Sequence, residues 1–409
     1  MKKVIKIKTI YKCCFAMYMV IMLFSNTTVE RIFGIYSAQY YSILVRIIPA
    51  ILILIILFES LLAKISFKHF LIMVIVVFLG VVDYLYVNNS IFLISLLFII
   101  AYPRNMDIEE IAKTLEWFLI ITIIITVILS NIGLAQDRIG GIGTGGVRSV
   151  RHSFGFVSAN SFANYIALAS IVLYFIMRNI WTTGYSILLV VLALWTYLYT
   201  GSRTGFGAIL IVSTGSWIIS KYENSWFSYM VYKCATWLFP LFSAFFLIVA
   251  LYFGKHPDSH FFVKMNSILS GRLYYGIYFF NKYGLSVFGH KLQLVGISEA
   301  LATGKRWLNL DNSYLMISIQ YGIAFVILFS VGYFLLGKKL EEKNELASAF
   351  VVVVILLCGI TENYLVNVCF NFGMLLFANE FIYRKSIEKK IRIRTPLLKK
   401  RVKLVFYGK

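Results

Sequence analysis

YSILLVVLALWTYLYTGSRTGFGAILIVSTGSWII, residues 185–219, decides the fold. It holds most of two apolar runs, 182–200 and 203–220, with Gly201-Ser202 as nearly the whole of the connection. Each run is close to the ~18–20 residues that cross a bilayer as a helix. Two such runs back to back form a transmembrane hairpin, and its turn carries an arginine, Arg203.

The pattern recurs along the chain. Of the 409 residues, 60% are hydrophobic, against roughly 45–50% in soluble domains, and the mean hydropathy is +0.81. Twelve spans are expected, at 10–24, 41–62, 69–87, 90–102, 114–134, 154–177, 182–200, 203–220, 234–254, 312–336, 346–366 and 367–383. The expected fold is therefore all-α and polytopic: one transmembrane domain over 1–383 with a basic tail at 384–409. The first apolar run follows Lys2, Lys3, Lys6 and Lys8 and reads as a retained span, because no small-residue cleavage site follows it. The five cysteines lie in or beside apolar runs and suggest neither a disulfide framework nor a metal site.

Lysine and arginine mark the cytoplasmic side of membrane proteins. Most of the 39 here fall on one side if both termini are placed in the cytoplasm. That choice leaves one large extracytoplasmic loop, 255–311, which is long enough to escape the rule. The net charge of +21 could suggest nucleic acid, but its location suggests membrane lipid instead. The tail from Arg384 interleaves basic and apolar residues and reads as an anchor on anionic lipid.

Arg148, Arg151 and Arg203 run against the rule, and Arg272 sits in the long loop that escapes it. All four fall on the outer side. Spans six, eight and ten start there, and helix N-termini favour anions. Span six follows a glycine-rich run, 140–146, with Arg148, Arg151 and His152 behind it; Asn160 and Asn164 share one face inside the span. The asparagines also suit interhelical hydrogen bonds. Span eight opens Ser202-Arg203-Thr204, where Ser202 suits an N-cap and Arg203 either snorkels to the interface or grips a phosphate. Ser270-Gly271-Arg272 precedes an aromatic run, 273–283, that reads as a helix on the membrane surface, and His290 reads as structural. Span ten opens Asp311-Asn312-Ser313-Tyr314. Asp311 or Asn312 could cap that helix; alternatively Asp311 is a base kept ionised by the arginines, with Glu362 as the other candidate. Arg46 and Asp83, near the outer ends of adjacent spans, read as an ion pair.

The order of these motifs resembles the O-antigen ligase/polymerase superfamily, within it the bacterial capsular or exopolysaccharide repeat-unit polymerases. The stretches that carry it are Phe154-Gly155-Phe156, Asn160-Ser161-Phe162-Ala163, Ser202-Arg203-Thr204, Ser270-Gly271-Arg272, Asp311-Asn312-Ser313-Tyr314-Leu315 and Tyr321-Gly322-Ile323. They cover about residues 140 to 330. The resemblance implies an inverting membrane glycosyltransferase of the bacterial cytoplasmic membrane. Its substrate would be an undecaprenyl-pyrophosphate-linked oligosaccharide, without cofactor or metal, alongside a flippase and a chain-length regulator of the same pathway. Asp311, Arg203 and Arg272 would be catalytic, and Arg148, Arg151, Asn160, Asn312 and Tyr314 would bind the pyrophosphate or sugar. Ligases of the superfamily carry a histidine where this chain has Asp311, which favours a polymerase. A ligase, or a lipid-linked sugar flippase, are the alternatives.

Overall fold

The computed structural model describes residues 2–29, 47–57, 67–87, 90–103, 106–139, 150–222, 225–256, 258–296, 299–300 and 303–378. Arg46, the glycine run, Arg148 and the basic tail lie outside them. The described residues are helical, with two isolated bridges, Thr27–Phe156 and Val295–Leu308, in place of strands.

In chain order the helices are α1 (Lys2–Phe24), α2 (Ile47–Leu57), α3 (Phe67–Val87), α4 (Ser90–Ile100), α5 (Ile108–Asn131), α6 (Ala159–Met177), α7 (Thr183–Thr200), α8 (Arg203–Lys221), α9 (Trp226–Phe253), α10 (His260–Ile268) and α11 (Arg272–Tyr283). They are followed by α12 (Ser313–Met316), α13 (Ile323–Glu342) and α14 (Leu346–Cys358). Six are long and apolar enough to cross a membrane: α1, α5, α6, α7, α9 and α13. The chain is thus a multi-pass membrane protein by length and composition.

The α7–α8 hairpin forms as its sequence suggests. Gly201 ends α7 in the left-handed region (φ 59°), where a side chain would be strained, and Ser202 caps α8 by accepting from the Gly205 amide. Ile187, Val191, Leu194 and Leu198 are exposed at helical spacing along α7. In water this stripe would be a liability; against lipid tails it is neutral. The opposite face, Ser186, Leu189, Ala193 and Thr196, is buried and small, so Ser213 of α8 reaches the Ser186 carbonyl at 2.7 Å.

Three expected spans do not form as full-length helices; span eleven, 346–366, is helical only over Leu346–Cys358, with turns beyond. Span ten is broken: α12 runs into a π-turn (Ile317–Tyr321), the chain turns at Gly322, and α13 begins. The break is fixed by the segment that follows α11, around Gly289. The Ile323 and Ala324 amides donate to the Ser286 and Val287 carbonyls, and the His290 amide donates to the Gln320 carbonyl. At Gly322 (φ 93°) an added Cβ would lie 2.4 Å from the Gly289 nitrogen, so only two glycines allow the strands of backbone to pass. Span twelve is replaced, through Ala378, by turns and short helical pieces at Phe372–Met374 and Leu375–Phe377. Buried Asn371 holds this segment by donating to the Leu365 carbonyl and the Tyr333 hydroxyl.

Ion pairs collect at one end of the bundle. Lys12 of α1 meets Glu110 of α5, Arg178 after α6 meets Glu109 at 2.6 Å, and Lys233 of α9 meets Glu341 of α13 at 3.0 Å. Asp83 of α3 is fully buried, and neither carboxylate oxygen has a partner among the described residues; the expected partner Arg46 lies outside them.

Candidate functional site

Three arginines come together where α6, α8 and α11 begin and α7 ends. Arg151 lies in the extended segment before α6. Its Nε donates to the Thr200 carbonyl at the α7–α8 turn, and its Nη2 donates to Asn160 Oδ1 at 2.8 Å. Arg203 is the first residue of α8, directly after its Ser202 cap. Arg272 is the first residue of α11, reached through Ser270 and Gly271, both left-handed. Burial holds Arg151 below the usual arginine range, and the charges of Arg272 and Arg203 push it the same way. Like charges are costly to gather without an anion to share.

Beneath two of them is a cavity of about 200 Å³. Arg203, Thr204, Ser270, Arg272 and Thr361 form its polar rim. Ala208 and Ile211 of α8, Ile268 and Leu269 of α10, and Val354 and Leu357 of α14 form its apolar wall. The cavity lining therefore joins two cations to an apolar surface, which suits a charged head with an apolar tail.

Two carboxylates temper the cluster. Arg272 Nη2 donates to Glu362 Oε1 at 3.3 Å, Nε donates to the Thr361 carbonyl at 2.7 Å, and Asp311 Oδ2 lies 3.9 Å from Nε. Glu362 follows α14 in a non-helical segment, where Asn164 of α6 also hydrogen-bonds it. Burial pushes the Glu362 carboxyl up to about 7; Arg272 pulls it down and Asp311 pushes it up. Asp311 is also raised, by burial, which outweighs Arg272 and the hydrogen bond from Asn309. The expectation that the arginines would lower Asp311 is thus reversed, because desolvation of a carboxylate at a sealed rim exceeds the pull of one cation.

The structure separates the roles left open at span ten. Asn312, not Asp311, is the cap: its Oδ1 accepts from the Leu315 amide at 2.9 Å and its Nδ2 donates to the Ile360 carbonyl at 2.8 Å. The cap is buried, and both of its side-chain polar atoms are used within the fold. Tyr314 is likewise engaged within the fold. It is fully buried, stacks on Phe246 with centroids 5.8 Å apart, and donates its hydroxyl to the Leu356 carbonyl. A helix that dips among aromatic residues of α9 turns this tyrosine into core. The aromatic run 273–283 forms α11, with Leu273, Ile277 and Phe279 buried. His290 packs near Tyr283.

A second constellation had no signal in spacing. Asp137 Oδ2 meets His152 Nδ1 at 2.7 Å, and Asp137 Oδ1 accepts from the Ser153 and Phe154 amides at 2.7 and 2.9 Å. The residues are 15 apart across the undescribed glycine run, a separation no helical or strand period connects.

No protein-family model matches this chain, and neither the curated proteins nor the solved structures contain a match.

Proposed function

We propose that the chain is a polysaccharide repeat-unit polymerase of a bacterial cytoplasmic membrane. It would transfer a growing glycan from undecaprenyl pyrophosphate to the non-reducing end of the next lipid-linked repeat unit, with inversion. The observation that carries this reading is the approach of Arg151, Arg203 and Arg272 at one rim, two of them lining a cavity together with an apolar surface. In it the ion-paired end faces the cytoplasm and the arginine rim faces outward, with both termini inside.

The chemistry follows from charge. As the anomeric C–O bond breaks, negative charge grows on the pyrophosphate. Fixed guanidinium groups aimed at that charge lower the barrier without reorganising. The first isoprene units would lie against Ala208, Ile211, Val354 and Leu357, which anchors the leaving group as the sugar moves off. Asp311 and Glu362 hold Arg272 in place and keep the cluster from holding the product too tightly.

The test is the product made by purified protein from one lipid-linked repeat unit. A ladder of repeat lengths supports the polymerase. A single transfer to a different acceptor indicates a ligase, and movement across vesicles without a ladder indicates a transporter.

A further inference from the structure

An inverting displacement needs a base on the side of the sugar opposite its leaving group. Asp311 and Glu362, the two carboxylates of the rim, both flank Arg272. If the arginines hold the pyrophosphate, these carboxylates stand on the leaving-group side, where a base for the incoming hydroxyl is misplaced. The base must come from elsewhere.

His152 adjoins Arg151 in sequence, yet the two side chains have different partners. Arg151 turns to Asn160 and Thr200, whereas the His152 ring turns to Asp137, Phe154 and Tyr199. Asp137 accepts two backbone amides, which keeps it an acceptor, so His152 Nδ1 donates to it. The hydrogen bonds from His152, Ser153 and Phe154 overcome burial, the largest influence on Asp137, and hold its carboxyl below the usual range. A neutral ring with Nδ1 protonated has its lone pair on Nε2. Nε2 has no hydrogen-bond partner among the described residues, and the side chain is 31% exposed. The segment is rigid: the Thr28 amide and hydroxyl donate to the Gly155 carbonyl, and the Val157 amide donates to the Asn26 carbonyl.

We propose that His152, oriented by Asp137, is the general base that takes the proton from the acceptor hydroxyl. The inference rests on the polymerase reading. In the step, the acceptor O–H proton moves to His152 Nε2, and the oxygen's electron pair forms the new bond to the anomeric carbon. The bond from that carbon to the phosphate oxygen breaks, its pair leaving with undecaprenyl pyrophosphate. The imidazolium then returns its proton to water. Beside the ring are Asp137 and Phe154 from the same segment and Tyr199 from α7.

The experiment measures chain elongation by purified full-length protein on a lipid-linked repeat unit. The variants are His152→Gln, His152→Ala and Asp137→Asn, each with thermal unfolding and binding of the lipid-linked repeat. Expected for His152→Gln is a loss of about 10²–10⁴-fold in rate, the usual worth of a general base, with binding and unfolding unchanged. Added imidazole should partly restore His152→Ala in proportion to its concentration. Asp137→Asn should slow elongation while preserving binding. A wild-type rate in His152→Gln overturns the proposal. So does a slow His152→Ala that imidazole does not rescue, which would mark the pair as a structural pin. If wild-type protein makes no ladder from the repeat unit, the polymerase reading itself fails, a result separate from either.

Discussion

Arg272 is tied to Glu362 across 90 positions of sequence: its Nη2 donates to Oε1 at 3.3 Å while its Nε holds the neighbouring Thr361 carbonyl at 2.7 Å. The link joins the start of α11 to the segment beyond α14 and sets the direction of a guanidinium that lines the groove. A cation anchored this way is ready for an anion before one arrives, which is the condition for electrostatic catalysis.

Arg203 is the cleaner test of the rim, because α8 is capped by Ser202 and not by the arginine itself. Arg203→Ala should cut elongation by about 10²–10³-fold, the range seen on removing one stabilising donor, while thermal unfolding changes little. Arg203→Lys should recover only part, since an ammonium lacks the bidentate fork. Polymer length distribution in cells lacking the native copy is the readout. Normal long chains in Arg203→Ala would remove the arginine rim from the mechanism.

Glu362 makes the rim pH-sensitive. With its carboxyl pushed up to about 7, acidification through neutrality removes a negative charge beside Arg272. A sugar pyrophosphate diester has no group titrating there, so its affinity should rise as pH falls from about 8 to about 6. Glu362→Gln should flatten that dependence. The stability effect has the same sign: a carboxyl raised above its ordinary 4.5 favours the folded state below that value, and the contribution is lost as pH rises through about 7. Binding isotherms and unfolding in detergent across this range check both.

Asp311 and Asn312 should behave oppositely. Asn312→Ala loses a helix cap and a buried hydrogen bond, costing about 2 kcal/mol, and should lower the unfolding temperature. Asp311→Asn keeps the hydrogen-bonding shape beside Asn309 and Arg272. It should slow elongation by less than about 100-fold, short of the loss expected for a base. A larger loss with unchanged folding would return the base role to Asp311.

Gly322→Ala should be among the most damaging single changes. The residue has φ 93°, and its Cβ would meet the Gly289 nitrogen at 2.4 Å. Strain and overlap together exceed about 3 kcal/mol. Expression yield and unfolding temperature should both fall, because the break between α12 and α13 can no longer dock on the segment around Gly289.

Much of the fold was legible because apolar length is a local property. The α7–α8 hairpin, the Ser202 cap and the aromatic helix α11 follow from residues close in sequence. Span ten, 312–336, was read as one helix because Tyr314 to Leu336 is largely apolar and carries no charge. Nothing local signals that Gly289 would come against Gly322. Tyr314 suffered the same blindness: a polar tip near a helix start looks accessible until the aromatic side chains of α9 close over it.

By itself the sequence determined a helical, multi-pass membrane chain with arginines beside several helix starts, since hydropathy and charge can be read one segment at a time. Only the tertiary structure decided what those arginines face. It brought Arg151, Arg203 and Arg272 to one rim, set Glu362 and Asp311 against Arg272, and paired Asp137 with His152. These relationships join residues from 15 positions apart, as in Asp137 and His152, to 121, as in Arg151 and Arg272. Long-range packing selects such pairs, and desolvation then sets their charge, so no window of sequence contains them.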